Sequence, residues 1–174
     1  MKRPSPRTAP YPPLDGAVRH DTEIAVRYVE TDQMGVVHHA NYLVWFELAR
    51  TNLCATSGTT YAAIEQRGFW LMVTGAHLSY RGGARYGDIV RVGCRIARES
   101  SRLVDFEYEV RIAETTSVGT DGSEGSEGSE PDPRIGQVVV TGTTQHAWVD
   151  AATRRTARLP DDLRAIFLRL AGKS

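Results

Sequence analysis

This sequence has no long apolar run, no excess of positive or negative charge, and only two cysteines. Each of these features excludes a class of protein. No apolar run is long enough to span a bilayer, so we predict a protein without a membrane-spanning segment. Lysine plus arginine number 21 and aspartate plus glutamate also number 21, which gives no electrostatic case for binding nucleic acid or a membrane surface. The basic N-terminus lacks the apolar stretch of a secretory signal, and we therefore expect a cytoplasmic protein.

Several catalytic and metal-binding patterns are missing as well. There is no GxSxG, and no serine lies in a predicted strand-to-helix turn, so a Ser-His-Asp triad is not expected. The dinucleotide-binding GxGxxG and the P-loop pattern are also absent. Cys54 and Cys94 lack metal-ligand spacing and are predicted to be buried free thiols. Because His20, His77 and His146 are scattered, we predict neither a metal site nor a cofactor.

The chain divides into a short tail and one domain. Its 174 residues are enough for a single domain with a sizeable core. Residues 1–20 are rich in proline and charge, which predicts a disordered tail. Residues 21–171 are predicted to form one domain, interrupted at 115–134 by a segment that contains GSE three times in tandem. That composition is typical of a flexible loop, and the strands on either side of it can still pair because loop closure costs little more as a loop grows.

Hydrophobic periodicity predicts five strands. The first covers 23–29, where alternation makes Tyr28 face the core. The others are predicted at 69–80, 89–96, 103–112 and 135–149. A short amphipathic helix is predicted near the C-terminus, at 160–171.

One predicted helix, between the first and second strands, is apolar around most of its circumference. Asn41 is its predicted N-cap and Gly58 ends it. Its core face consists of Tyr42, Trp45, Phe46, Ala49 and Leu53, widened by Leu43, Val44 and Leu48, with Glu47, Arg50, Thr51 and Asn52 as a polar strip. Such a helix belongs in a core, so one antiparallel sheet of about five strands must wrap around it. The sequence therefore predicts an α+β protein with the hotdog fold, a sheet around a long central helix.

Polar residues gather just before this helix, and we interpret them as an active site. Asp32 lies in a turn with Gly35, which tolerates a left-handed or crowded backbone. The helix N-terminus supplies free N–H groups that would polarise a carbonyl placed beside the carboxylate. The apolar neighbours Met34, Val36 and Val37 predict that the turn is covered.

Each of these residues also has a simpler, non-catalytic interpretation. A loop acid such as Asp32 is most often a solvated turn residue or a cap, and Tyr28 could be only a core aromatic. His38 and His39 are adjacent, so in extended geometry their rings point in opposite directions and at most one of them faces the site.

The stretch YVETDQMGVVHHANYLVWFELART resembles the motif of the YbgC-like branch of the 4-hydroxybenzoyl-CoA thioesterase family, which has the form YxDTDxxGVVYHxxYLxxxExART. The segments SYRGGARYGD and WVDAATRRTARLP are similar to two further segments of that family, so the resemblance covers roughly 22–170. The chain departs from the family in having ETD for DTD and His38-His39 for tyrosine-histidine. It also has Gly83 in place of a turn proline, which predicts a looser segment near the expected pantetheine path.

The resemblance implies a hotdog fold, at least a dimer, and hydrolysis of acyl-CoA or acyl-carrier-protein thioesters at the subunit interface. The family's acid falls on Asp32, its histidine on His39 and its tyrosine on Tyr28, and these are the catalytic candidates. Asp32 would act as a nucleophile or as a general base toward water, with a backbone N–H near His39 polarising the carbonyl. The candidates for substrate binding are Gly35, Val37, His38, Asn41, Arg81 and Arg102, the two arginines for the CoA phosphates.

Two rival interpretations stay open. One is a hotdog dehydratase or hydratase acting on acyl thioesters, in which an Asp/His pair would also serve. The other is a non-catalytic acyl-CoA-binding protein, which as a sensor would need a DNA-binding segment, and the basic tail is too short for one. Either a homodimer or a homotetramer fits the sequence, and the sequence does not specify the acyl group.

Overall fold

The computed structural model of the chain describes residues 17–115 and 132–173. The predictions of a disordered tail and of a flexible GSE-rich loop fall almost wholly outside these ranges. Only the last residues of the predicted tail are described, and the first strand already begins there, at Arg19.

The described residues form strands and helices in the predicted order. The strands are β1 (Arg19–Ala25), β2 (Phe69–Tyr80), β3 (Ile89–Glu99), β4 (Leu103–Glu114) and β5 (Val138–Asp150). The helices are α1 (Asn41–Ala55), α2 (Tyr61–Gln66) and α3 (Asp161–Leu170). Gly58, predicted to end the central helix, lies in the turn after α1 with φ of +83°. No helix in the described residues is long and apolar enough to cross a membrane.

The five strands form one antiparallel sheet in the order β1-β3-β4-β5-β2. β4 and β5 pair with each other, so the two strands on either side of the GSE-rich segment form the predicted hairpin. At the end of that segment, Arg134 Nη1 donates to the buried Asp88 carboxylate at 2.8 Å and Arg134 Nη2 donates to Asp132, also at 2.8 Å. This pairing fixes the start of the approach to β5.

The core forms where α1 packs against one face of the sheet. Phe46 of α1 stacks on Tyr108 of β4 with ring centroids 4.1 Å apart and planes 4° apart. Gly142 of β5 is required beneath it, because a Cβ there would lie 2.6 Å from the Phe46 ring and 2.7 Å from the His77 carbonyl oxygen. The β4 residues on this face are all buried: Val104, Phe106, Tyr108, Val110 and Ile112. The prediction of an antiparallel sheet around a core helix, the hotdog arrangement, is confirmed.

The first strand ends earlier than predicted. β1 ends at Ala25 and does not continue to Val29. The Val26 N–H still donates to the Asp88 carbonyl opposite it at 2.8 Å, but the Asp88 N–H donates to the Arg85 carbonyl and does not return the bond, so the ladder stops there. The chain then makes a 3-10 turn that contains Tyr28. Tyr28 is 77% exposed, so the prediction that it faces the core is wrong.

The prediction for α1 is right for its core face and wrong for its flanks. All five residues predicted to face the core are buried. Leu43, Val44 and Leu48, predicted to widen that face, are largely exposed, since nothing in the described chain covers the side of the helix turned away from the sheet. Arg50, predicted to lie in the polar strip, turns inward and keeps only 11% of its side-chain surface exposed.

His146 of β5 is fully buried, with its ring edge-on to Phe106 at 5.3 Å between centroids. Burial, assisted by the positive charge of Arg50, lowers the pKa of His146 to about 4. In the unfolded chain the pKa of a histidine is about 6.5, so between these two pKa values the unfolded state binds a proton that the folded state does not. The contribution of His146 to stability therefore falls as the pH decreases through this window.

Replacing His146 with Leu is predicted to flatten the acid dependence of stability. Between about pH 7 and pH 4.5, the free energy of unfolding of the natural protein should fall by roughly 2 kcal/mol more than that of His146→Leu. Urea unfolding at the two pH values measures this difference. His77→Leu, at an exposed position on β2, is the matched control and should behave like the natural protein. Parallel losses in the natural protein and in His146→Leu would contradict the prediction.

Candidate active site

Asp32 lies in a tight hairpin between β1 and α1. An antiparallel bridge between Thr31 and Val37 closes the hairpin. Within it, the Gly35 N–H donates to the Asp32 carbonyl at 2.9 Å, and Gly35 has φ of +72°, a conformation that glycine adopts freely. The Asp32 Oδ1 atom accepts the Met34 N–H at 2.9 Å, whereas no hydrogen bond within the described chain uses Oδ2. One carboxylate oxygen is thus held and the other is left for a ligand.

The hairpin is less covered than its apolar residues predicted. Val37 is buried and its N–H donates to the Ala84 carbonyl at 2.8 Å, so that this amide is already occupied. Met34 is 84% exposed, contrary to the prediction of a covered turn, because it stands at the hairpin tip. Gly83 was expected to loosen its segment, but a Cβ there would lie 2.8 Å from a Val36 methyl. The glycine therefore allows the 81–88 turn to pack directly on the hairpin.

Glu30 fixes the hairpin to the start of α1. Its buried carboxylate accepts the Trp45 indole N–H at 3.1 Å and both the backbone N–H and the guanidinium of Arg27, at 2.8 and 3.0 Å. Its carbonyl accepts the His38 N–H at 2.8 Å and the Asn41 side-chain amide at 2.7 Å. Burial alone would raise the pKa of Glu30, but the hydrogen bonds from Arg27 and Trp45 outweigh it and lower the pKa. Glu30 is therefore a buried, ionised anchor.

Asn41 is the first residue of α1 and not its N-cap, as had been predicted. The position before the helix belongs to Ala40, and the Asn41 side chain bonds Glu30 in place of a helix N–H. His38 accepts twice, through its carbonyl from the Asn41 N–H at 2.9 Å and through Nδ1 from the Ala40 N–H at 3.3 Å. No hydrogen bond in the described part of the chain uses the N–H of His39. The His39 amide at the helix start is therefore unoccupied in the described chain, at the position where the family resemblance expects a carbonyl to be polarised.

The rings of His38 and His39 lie side by side, with centroids 4.1 Å apart and planes tilted by 35°. The expectation that they point in opposite directions is wrong, because the chain here turns into α1 and is not extended. The His39 ring is edge-on to Tyr80 at 6.5 Å, and the Tyr80 hydroxyl donates to the His39 carbonyl at 3.2 Å. The last residue of β2 therefore holds His39 in place.

The remaining candidates lie further out. Tyr28 is edge-on to Tyr86 at 5.6 Å, and no hydrogen bond in the described chain joins its hydroxyl to Asp32. Arg81 directly follows Tyr80, and its side chain is exposed at the same end of the sheet. Arg102 lies at the opposite end, where its carbonyl accepts the Trp148 N–H.

The strand register gives the distance between Arg102 and the end of the sheet that carries the Asp32 hairpin. Tyr80 pairs with Val140 on β5, and Trp148 is eight residues further along that strand, which corresponds to roughly 26 Å. A single chain therefore does not bring Arg102 to the Asp32 hairpin.

The structure brings six of the nine candidates into one hairpin and helix start: Asp32, Gly35, Val37, His38, His39 and Asn41. Two residues that hold this arrangement together, Glu30 and Tyr80, are absent from the predicted site. Glu30 had a signal in the sequence, since it is the acid that replaces the first aspartate of the family's DTD. Among the described residues, no group of three histidines, cysteines or acids is placed to hold a metal ion.

Comparison with known families defines the class of this protein. The family model of the thioesterase-like superfamily matches residues 26–167, which include the hairpin, the whole of α1 and most of the sheet. The chain belongs to this superfamily.

Two of the most similar known proteins give finer comparisons. A protein of Bacillus subtilis named "Putative acyl-CoA thioesterase YneP" is 48% identical over 66 residues, which are 38% of this chain and 48% of YneP. The chain thus matches about half the length of that curated relative. The crystal structure of the hypothetical protein TT1821 from Thermus thermophilus is 33% identical with a TM-score of 0.69, and the match covers 88% of this chain and 98% of TT1821.

A third comparison is with the DHNA-CoA thioesterase of Staphylococcus aureus. Its crystal structure is 26% identical, with a TM-score of 0.72 and coverage of 87% of this chain and 90% of the other. The described sheet and helices are thus arranged like those of this thioesterase.

Replacing Glu30 with Gln is predicted to weaken the anchor of the hairpin. The amide cannot accept all three hydrogen bonds and presents an N–H₂ group toward the Arg27 donors, so the free energy of unfolding should fall by about 1–3 kcal/mol. Glu47→Gln is the matched control, because Glu47 is an exposed acid whose ion pair with Arg50 is 3.6 Å long. It should change stability by less than about 0.5 kcal/mol. Denaturant unfolding of both variants tests this, and equal losses would contradict the anchor role.

Proposed function

We propose that this protein is an acyl-CoA thioesterase that hydrolyses an acyl thioester to the free acid and CoA. The observation that carries the proposal is a carboxylate with one free oxygen, Asp32, on a hairpin anchored beside the unoccupied N–H of His39. Membership of the thioesterase-like superfamily supports it, as do the names of YneP and of the Staphylococcus aureus enzyme. No specific observation favours a dehydratase or a non-catalytic acyl-CoA-binding protein.

In the proposed reaction the thioester carbonyl oxygen accepts the His39 N–H at the positive end of α1. This interaction strengthens as the oxygen gains negative charge in the transition state. Asp32 then acts by one of two routes. In the first, its carboxylate attacks the carbonyl carbon, the C–S bond breaks to release CoA thiolate, and water hydrolyses the resulting anhydride. In the second, it takes a proton from a water molecule that attacks the same carbon, and the C–S bond then breaks to release CoA thiolate.

The surrounding side chains have supporting roles in this scheme. Tyr80 holds the His39 carbonyl and so orients the amide on the same residue. The exposed imidazole of His39 and the hydroxyl of Tyr28 are the groups that would contact the acyl carbonyl or the attacking water. A thiolate leaves readily, so the reaction does not need a strong general acid. Arg81 is the candidate cation for the CoA phosphates in the same chain.

We further propose that the protein is at least a homodimer with its active sites at the interface. β2 is an edge strand with exposed Trp70, Met72 and Val73, and the uncovered flank of α1 exposes more apolar surface. An unpaired apolar strand edge is normally covered, and a second copy of the chain is the simplest cover. If Arg102 contributes to the site at the Asp32 hairpin, it would have to come from the second copy of the chain.

A cytoplasmic location completes the proposal. Both cysteines of the chain are free and buried, which fits a reducing compartment. Burial raises the pKa of Cys54 to about 11 and raises that of Cys94 further, so that neither thiol is a reactive nucleophile at neutral pH.

Asp32→Asn is predicted to keep the fold and substrate binding but to lower kcat by about 100-fold or more, because it removes the carboxylate and little else. The measurement is thiol release from a panel of acyl-CoAs. Asp21→Asn, an exposed acid paired with Arg19 on β1, is the matched control. Activity of Asp32→Asn within a few-fold of the natural protein would exclude the assignment. Hydration of an enoyl-CoA without thiol release would favour the dehydratase. Binding of acyl-CoA without either reaction would favour a non-catalytic acyl-CoA-binding protein.

Subunit complementation tests the interface. The heterodimer to test contains one Asp32→Asn chain and one Arg102→Gln chain. If each site takes Asp32 from one chain and Arg102 from the other, one of its two sites carries both substitutions and the other carries neither. Thiol release should then recover to about half that of the natural dimer, although each parent variant is weak. No recovery in the isolated heterodimer would mean that the two residues do not share a site. A fully active monomer in sedimentation would exclude the interface model.

A further inference from the structure

The hairpin of the candidate active site is held from outside by the 81–88 turn. Before the hairpin, the Val26 N–H donates to the Asp88 carbonyl at 2.8 Å. After it, the Val37 N–H donates to the Ala84 carbonyl, also at 2.8 Å. Both ends of the hairpin therefore depend on the second half of this turn.

The two halves of the 81–88 turn are fixed by different parts of the chain. The first half is bound to β5, because the Val139 carbonyl accepts the Arg81 N–H at 2.8 Å and the Gly82 N–H at 3.1 Å. The second half is closed by the Asp88 carboxylate, whose Oδ2 atom accepts the Arg85 N–H at 2.8 Å. The second half can therefore move while Arg81, the candidate contact for the CoA phosphates, keeps its place.

Arg134 is the charged partner of the Asp88 carboxylate. The Asp88 side chain is 2% exposed, and Arg134 donates to it through Nη1 at 2.8 Å and through Nη2 at 3.2 Å. The same guanidinium donates to Asp132, so its plane is fixed from two sides. A second contact of the turn, from the Ala84 N–H to the Tyr42 hydroxyl, is longer at 3.3 Å. Because a buried carboxylate is costly unless its hydrogen bonds are complete, the closed turn depends on Arg134.

A displaced turn would reach the reacting groups through the hairpin. Gly83 of the turn packs directly on Val36, and the Val36 carbonyl accepts the Asp32 N–H at 2.9 Å. The other reacting group is held separately, since the Tyr80 hydroxyl donates to the His39 carbonyl at 3.2 Å. A shift of the turn would therefore move Asp32 relative to the His39 amide.

We propose that Arg134 is a positioning residue, which acts through Asp88 and the 81–88 turn to place the Asp32 carboxylate relative to the His39 amide. This inference rests on the proposed function and adds to it a residue that lies outside the family motif. In the described chain, the Arg134 guanidinium hydrogen-bonds two aspartates and not the hairpin. Its effect therefore falls on the chemical step, because a reacting group misplaced by about 1 Å loses rate while the substrate still binds.

The first arm measures thiol release by Arg134→Gln with the acyl-CoA on which the natural protein is most active. We expect kcat to fall by about tenfold while KM changes by less than about twofold. Arg134→Lys keeps the charge beside Asp88 but loses the two-pronged geometry, so its kcat should lie between those of Arg134→Gln and the natural protein. A kcat of Arg134→Gln within about twofold of the natural value, or a loss carried by KM alone, would overturn the proposal.

Arg164→Gln is the matched control, because Arg164 also pairs with a buried acid. Its Nε atom donates to Glu99 at 2.8 Å, and the Glu99 side chain is 2% exposed, as that of Asp88 is. Glu99 ends β3 and Ile89 begins it, so the two acids lie roughly 33 Å apart along the strand. Both arginine variants should lower the melting temperature, but Arg164→Gln, assayed well below it, should keep the natural kcat. An equal loss of kcat in Arg164→Gln would overturn the positioning role, because reduced stability would then explain both losses.

The second arm needs no catalysis, so its failure is distinguishable from failure of the proposed function. Amide hydrogen exchange is followed at Val37, whose N–H bonds the turn, and at Trp148, whose N–H bonds the Arg102 carbonyl at the other end of the sheet. The exchange rate of Val37 relative to that of Trp148 should rise by about tenfold in Arg134→Gln and should not rise in Arg164→Gln.

The two arms together decide the proposal. An unchanged exchange ratio in Arg134→Gln would overturn it even in a fully active enzyme, because the hairpin would then not depend on Arg134. A raised ratio together with a fall in kcat supports it. A raised ratio in a natural fold that releases no thiol from any acyl-CoA supports the positioning of the hairpin by Arg134 and overturns the proposed function.

Discussion

The Glu30 carboxylate, buried between Arg27 and Trp45, is the contact on which the position of the candidate site depends. Its side chain ties the end of the β1 connection to the second turn of α1, while its carbonyl holds His38 and Asn41 at the helix start. A buried charge is tolerated only when its hydrogen bonds are complete, so these segments must meet in one arrangement. The Asp32 hairpin and the free His39 amide are the products of that constraint.

Sequence periodicity predicted best the elements that have one face in the core and the other face turned away from it. β4 alternates because Val104 and the residues two apart from it face α1, whereas most of the intervening positions lie on the outer face. The core face of α1 was predictable for the same reason, and Phe46 over Gly142 shows how closely it fits. Asp32 and Gly35 were predicted to share a turn because an acid and a glycine just before an apolar helix are a local signal, and Gly35 does adopt positive φ in the hairpin.

What the pattern did not predict depends on contacts between segments distant in sequence. Tyr28 continues the alternation of β1 in the sequence, but the pairing strand ends before it, because the Asp88 N–H, some sixty residues away, donates to Arg85 in a turn and not to β1. Arg50 occupies a polar position on the helical wheel, yet its side chain turns inward. Its guanidinium lies near the buried hydroxyls of Tyr61 and Tyr108, which come from α2 and β4. The two histidine rings lie side by side because the chain turns into α1 at this point, where the Glu30 carbonyl holds the His38 N–H, and adjacent histidines alone do not predict such a turn.

The pairing of β4 with β5 separates the body of the protein from the connection between these strands. Their ladder keeps one register from Leu103 to Val110, with a shift before Arg111 pairs with Val138, and Arg134 fixes the return path by its pair with Asp88. The pairing is therefore set by contacts outside the connection. Each doubling of such a connection adds only about 0.6 kcal/mol of closure free energy. Natural variants with a shorter or longer connection should therefore fold alike, which makes this position suitable for inserting a guest domain or an affinity tag.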